Sequence, residues 1–173
     1  MTSTTPAATK AILLVTLAVT LAADAYVVAR APLPPTRVAA ILALLTLLFL
    51  VRVVGQLLVV MRQPRWLPTM TDENWNLVRY DVLLPAQLLI LIVMAFVILG
   101  VSAEVAPFGA RRLVVGQALI AMSAVYAAVM ALRYVARMTR KPEQRWFGGS
   151  IPIVFHMVLA SFLFTWGRFH AGH

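Results

Sequence analysis

The sequence predicts an all-α protein held in a membrane as a bundle of five transmembrane helices, with residues 1–173 forming one integral domain. Three observations carry this prediction. The chain is 62% hydrophobic and only 12% charged, against roughly 45–50% and about 25% in soluble domains. Its apolar residues stand in long runs, several of them near the ~20 residues that cross about 30 Å of hydrocarbon. Its basic residues sit at the ends of those runs with aromatics beside them, the pattern that orients helices in a bilayer. A net charge of +9 is therefore read as an orienting signal, and no nucleic-acid partner is expected. The absence of cysteine excludes disulfides, thiolate metal sites, iron–sulfur clusters and cysteine nucleophiles together.

The first span covers about 10–30. Ala11 to Ala29 is longer than the core of a signal peptide, so the segment reads as a retained helix, interrupted by Asp24. Ala31-Pro-Leu-Pro-Pro-Thr36 is too rigid and too poor in donors to continue a helix and predicts a tight hairpin. The second span, about 37–61, carries Arg52 and Gln56 within it. The following segment is polar but holds Trp66 and Trp75, with Thr71 or Asp72 placed to cap a short interfacial helix. The third span, about 77–101, contains Pro85 near its start, where a bend is expected.

In the fourth span, about 111–136, Gly116, Ala118, Ala121, Ala124, Ala128 and Ala131 recur at near-helical spacing. Small residues let backbones approach closely, so this helix is expected at the centre of the bundle. The fifth span, about 150–168, starts with Ser150 as a cap and Pro152 in its first turn. Phe169 to His173 is left as a short tail.

Five crossings put the termini on opposite sides. Lys10, Arg62, Arg65, Arg79, Arg133, Arg137, Arg140, Lys141 and Arg145 fall on the side of the N-terminus, while Arg30, Arg37, Arg111, Arg112 and Arg168 fall on the other. By the positive-inside rule the N-terminus is inside and the C-terminus outside, in a cytoplasmic (inner) membrane. The two cytoplasmic loops share a basic-Pro-basic-Trp order, in Arg62-Gln-Pro-Arg65-Trp66 and Arg140-Lys-Pro-Glu-Gln-Arg145-Trp146. These residues, with Trp75, suit headgroup anchoring, arginine for phosphate and tryptophan for the interface. The same order is open to a second explanation, a weak duplication of 37–101 and 111–168.

Ionisable and amide side chains inside a bilayer are expensive. Counting ~1.5 Å per residue from the cytoplasmic ends places Asp81 and Arg133 within about 6 Å of the edge, Gln56 and His156 at about 9 Å, Gln87 at about 12 Å and Arg52 at about 15 Å. These six form an expected polar layer in the cytoplasmic leaflet. One reading of the layer is inter-helix hydrogen bonding alone. The other is a pocket in which Arg52 or Arg133 holds an anionic head group and His156 ligates a cofactor or moves a proton. Asp24 offers Arg52 an alternative, intramolecular partner.

His156 is the histidine placed inside the bilayer, with His170 and His173 about 20 Å away at the far end of the same span. Bis-histidine haem is therefore not expected. His156 remains a single axial ligand for a haem completed by Met94, Met130 or a partner, or for a chlorophyll-type pigment. No zinc or di-metal spacing occurs in the spans.

The chain is expected to be a non-enzymatic subunit or assembly factor of a larger membrane complex, or to associate with itself, and to bind a lipid, quinone or pigment at the cytoplasmic leaflet. The alternatives are an enzyme acting on a lipid or isoprenoid head group, with Asp81 or His156 as acid–base and Arg52 and Arg133 as anion clamps, and a small transporter with Arg52 in its pathway.

Overall fold

The computed structural model describes residues 7–62, 80–140 and 150–172. Within them the chain forms five helices, α1 (Ala7–Arg30), α2 (Pro35–Arg62), α3 (Tyr80–Ala103), α4 (Leu113–Arg140) and α5 (Ser150–Ala171). Each is long and apolar enough to cross a membrane. The expected spans are all present, most of them a few residues longer than read. Arg65, Trp66, Trp75, Arg145 and Trp146, the interfacial helix after Thr71, both tryptophan-bearing loops and His173 lie outside the described residues.

The proline hairpin forms where expected. Pro34 supplies the carbonyl that accepts from the amides of Arg37 and Val38 at 3.0 and 3.1 Å. Pro35 then opens α2 at the position where a missing amide costs nothing. Tyr26 Oη accepts from Arg37 Nη1 at 3.4 Å across the hairpin. Helix α3 continues through Pro85. Its other end closes in a Schellman motif: the amide of Glu104 donates to Val101 O and that of Val105 to Gly100 O, with Glu104 left-handed at φ 53°.

The helices pack as a row, α3 against α2, α2 against α5 and α5 against α4, with α1 lying on α5 and touching α2 only slightly. Expectation placed α4 at the centre, and the structure places α5 there. Half of the α5 span is buried, against 22% for α4, and α5 is the one helix partner of α4 among the described residues. The reason lies in which small residues face inward. Gly116 is buried against α5, while Ala118, Ala121, Ala124, Ala128 and Ala131 are exposed.

The inward face of α4 instead follows Gly116, Leu119, Ser123 and Met130, a three-to-four residue stripe. At the crossing, a Cβ on Gly116 would stand 2.6 Å from the Ala171 amide and 2.8 Å from Gly167 O. The two backbones touch there because neither residue has a side chain. The core runs along α2 through Val38, Leu42, Leu45, Phe49 and Val53, and along α5 through Phe155, Val158, Phe162 and Phe169. Outward faces carry exposed residues such as Leu14, Val28, Leu89 and Leu132, as lipid contact requires.

The loop between α3 and α4 is fastened to the end of α5. Trp166 Nε1 donates to Phe108 O at 3.0 Å, Arg111 Nη1 donates to Gly172 O at 2.8 Å, and the Arg112 amide donates to His170 Nδ1 at 3.2 Å. His170 is 1% exposed. Phe169, His170 and Ala171, expected in a tail after Arg168, thus continue the last turn of α5, and His170 is a packed structural group. The sequence reading misplaced it because the charge of Arg168 looked like the end of the span.

Candidate functional site

One belt of polar side chains crosses the row near the end where α2 and α4 finish and α3 and α5 begin. It starts on α2, where Arg52 and Gln56 stand one turn apart and share a face. With the Gln56 amide oriented by its hydrogen-bond network, Arg52 donates to Gln56 Oε1 from Nη2 at 2.8 Å and from Nη1 at 3.1 Å. Gln56 Nε2 then donates to Gln87 Oε1 on α3 at 2.8 Å. Gln56 is buried, so the chain of bonds holds an amide away from solvent while meeting its polar needs.

The Arg52 guanidinium also stands 5.7 Å from the ring centre of Phe155 on α5, within cation–π range. On the other side of Phe155's helix, His156 Nδ1 and Tyr126 Oη of α4 share a hydrogen bond of 2.6 Å. Their rings meet nearly edge-on, 84° apart. Arg133, two turns beyond Tyr126 on α4, and Arg52 both lie within electrostatic range of His156.

Three of the six expected layer residues, Arg52, Gln56 and Gln87, are tied together by hydrogen bonds; His156 is bonded to Tyr126 instead, next in the chain to Phe155, whose ring faces Arg52. Arg133 belongs to the same electrostatic group but is exposed, so it stands at the rim. Asp81 lies in the first turn of α3, at the same end. Arg62 and Arg140 are the final residues of α2 and α4, also at that end.

Tyr126 was missed by the sequence reading. A usable signal existed in its spacing of seven from Arg133, which puts both on one face of α4. A tyrosine inside an apolar run looks like ordinary aromatic packing until its partner is known.

Asp24 takes a different partner from the one considered for it. Ser161 Oγ on α5 donates to Asp24 Oδ2 at 2.7 Å, fixing α1 to α5. The neighbouring contact between α4 and α5 is likewise polar, Ser123 Oγ donating to Ala160 O at 2.8 Å. Met94 and Met130 are both buried, Met94 within the apolar core. No group of three or more metal-ligating side chains occurs among the described residues.

Chemically, the belt offers donors and positive charge within electrostatic range of one imidazole. That arrangement suits an oxygen-bearing group such as a phosphate, a carboxylate or a quinone carbonyl. The bond on Nδ1 leaves Nε2 of His156 as the ring atom able to meet a ligand, with Tyr126 fixing the ring's orientation. Compared with protein-family models, curated proteins and solved structures, the chain matches none.

Proposed function

We propose that this chain is a small subunit or assembly factor of a larger complex in a cytoplasmic membrane, and that its polar belt holds the head of a lipid-like ligand in the cytoplasmic leaflet. The ligand is a lipid or quinone in preference to a metal-centred pigment, because two guanidiniums within electrostatic range of His156 favour an oxygen acceptor over a cationic centre. The observation that carries this reading is the 2.6 Å Tyr126–His156 hydrogen bond in the field of Arg52 and Arg133. Inter-helix polar contacts in membranes average only about 0.6 kcal/mol, so packing alone gives little reason to place Arg52 and the Tyr126–His156 pair at this depth.

The cytoplasmic placement rests on the charge count, and the partner on the nearly complete confinement of the described residues to membrane-spanning helices. Such a chain has little surface with which to act on soluble substrates. Purification from the native membrane in mild detergent, with extraction of bound lipids and quinones and an absorption spectrum, tests the reading. The wild type should retain a phosphate-bearing lipid or a quinone, and Arg133→Gln should lower occupancy by about tenfold, the effect of losing one charged hydrogen bond. A visible chromophore lost in His156→Ala would move the assignment to a pigment. A preparation free of lipid, quinone and chromophore would end it.

A further inference from the structure

We propose that the end of the row opposite the belt carries an acid-opened clasp, in which His170 ties the loop between α3 and α4 to α5 only while its ring is uncharged. The chemistry of the tie is specific. The Arg112 amide donates to His170 Nδ1 at 3.2 Å, and a backbone N–H can donate to Nδ1 only where that atom holds no proton. A second proton on the ring turns the acceptor into a donor, so this bond and an imidazolium cannot coexist.

The surroundings offer a charged ring nothing in exchange. His170 is 1% exposed, and its Nε2 is buried without a hydrogen-bond partner among the described residues. The ring packs on those of Trp166 and Phe169, with centres 5.6 and 5.4 Å away. The charged groups whose fields reach it are Arg112 and Arg111, from the loop side, with the carbonyls of Phe108 and Ala110 beside it. Arg168 on α5 itself, Arg30 at the end of α1 and Arg37 in the first turn of α2 add only positive charge to this end. Of the carboxylates toward this end, Asp24 on α1 is bonded to Ser161 and Glu104 closes α3; neither acts on the ring.

The proton therefore enters when the clasp is open, and acid traps the open form. A free imidazole titrates near pH ~6.5. The closed form is favoured above that value, and each pH unit below it lowers the closed-to-open ratio about tenfold, because only the open form gains a proton. Opening acts on α4. The same loop is held by Trp166 on Phe108 O and by Arg111 on Gly172 O, and it leads into Gly116, where α4 lies against Gly167 and Ala171. Since α5 is the one helix partner of α4 among the described residues, release here loosens the first turns of α4 while the Tyr126–His156 bond still joins the two helices at the other end.

The test uses the full chain in lipid nanodiscs. The sequence has no cysteine, so Val105→Cys, at an exposed loop position, takes a single nitroxide label whose mobility is read by electron paramagnetic resonance. Between about pH 7.5 and about pH 4.5 the wild-type background should pass reversibly from an immobile to a mobile spectrum, with a closed-to-open ratio about a hundredfold lower at the acid end. His170→Gln, whose side-chain oxygen can accept from the Arg112 amide but takes no proton, should stay immobile throughout.

A label at Leu89→Cys, exposed on α3, should not respond to pH. Mobility at position 105 that ignores pH, or that rises equally in His170→Gln, refutes the clasp; a parallel rise at position 89 is general unfolding and refutes it too. Should His170→Gln fail to fold, hydrogen exchange in the unlabelled chain decides. Corrected for the intrinsic rate, protection of the Arg112 amide should fall about a hundredfold over the same range, while that of the Val105 amide, bonded to Gly100 O, stays level. Unchanged protection at Arg112 overturns the proposal.

Discussion

Replacing Gly167 by alanine probes the contact that holds α4 in place. A Cβ there would stand 2.8 Å from Ile120 Cγ1 and 3.0 Å from both Gly116 O and the Ile120 amide. Ordinary van der Waals contact for a Cβ begins near 3.4 Å. The side chain of Ile120 can turn, but the other two neighbours are backbone, so the helices themselves must separate by a few tenths of an ångström. A gap of ~0.5–1 Å already forfeits a quarter to a half of each dispersion contact, and overpacking of this kind costs about 1–3 kcal/mol.

Since α5 is the one helix partner of α4 among the described residues, no second helix interface among them absorbs the strain. The assay is reversible unfolding of the purified chain in mixed micelles, with Gly55→Ala as the matched control. Gly55 has no atom within 4 Å of its added Cβ, and that variant should be neutral or more stable by up to about 0.5 kcal/mol. Gly116→Ala should destabilise like Gly167→Ala, and the double variant by less than the sum, because both relieve the same crossing. Equal stability of Gly167→Ala and Gly55→Ala would refute a close backbone contact at this point.

Tyr126→Phe removes the bond to His156 while keeping the ring; unfolding should show a loss of about 0.5–1.5 kcal/mol, and His156 reactivity toward diethyl pyrocarbonate should rise. Ser161→Ala leaves Asp24 without the hydroxyl that donates to it, and a loss of about 1–3 kcal/mol is expected, largely restored by adding Asp24→Leu. Glu104→Gly places a glycine at the left-handed position closing α3 and should raise stability by about 0.4–1 kcal/mol, measured in the same titration; a decrease would contradict the cap geometry.

Helix number and rough limits were legible because apolar length is a direct requirement of hydrocarbon thickness, and the proline hairpin because its chemistry is local. Arg52, Gln56 and Gln87, which bond to one another, were legible as neighbours in depth because depth follows from counting residues along an axis, whereas the Tyr126 partner of His156 was not. Rotation about that axis was not legible. Alanines at residues 118, 121, 124, 128 and 131 suit lipid and protein equally, so the sequence did not reveal that α4 turns Gly116, Ser123 and Tyr126 inward. The same ambiguity hid the role of α5. Its mixture of phenylalanines with Ser161, Thr165 and His170 is less uniformly apolar than the other spans because it meets protein on several sides. Asp24 was hard to pair for a related reason, since a serine one helix away satisfies it as well as a distant arginine.

The central position of α5 has a consequence for biosynthesis. Made after the other four helices, it supplies the surface on which α1, α2 and α4 all meet, and it fastens the loop before α4 through Trp166 and His170. Until residues 150–171 enter the bilayer, a nascent chain has the α2–α3 pairing, a slight α1–α2 touch and an α4 with no helix to lie against. Assembly of the bundle therefore waits on α5, and a chain lacking residues 150–171 would keep the α2–α3 pairing while α1 and α4 lose their main helix contact, leaving both open to quality-control proteases.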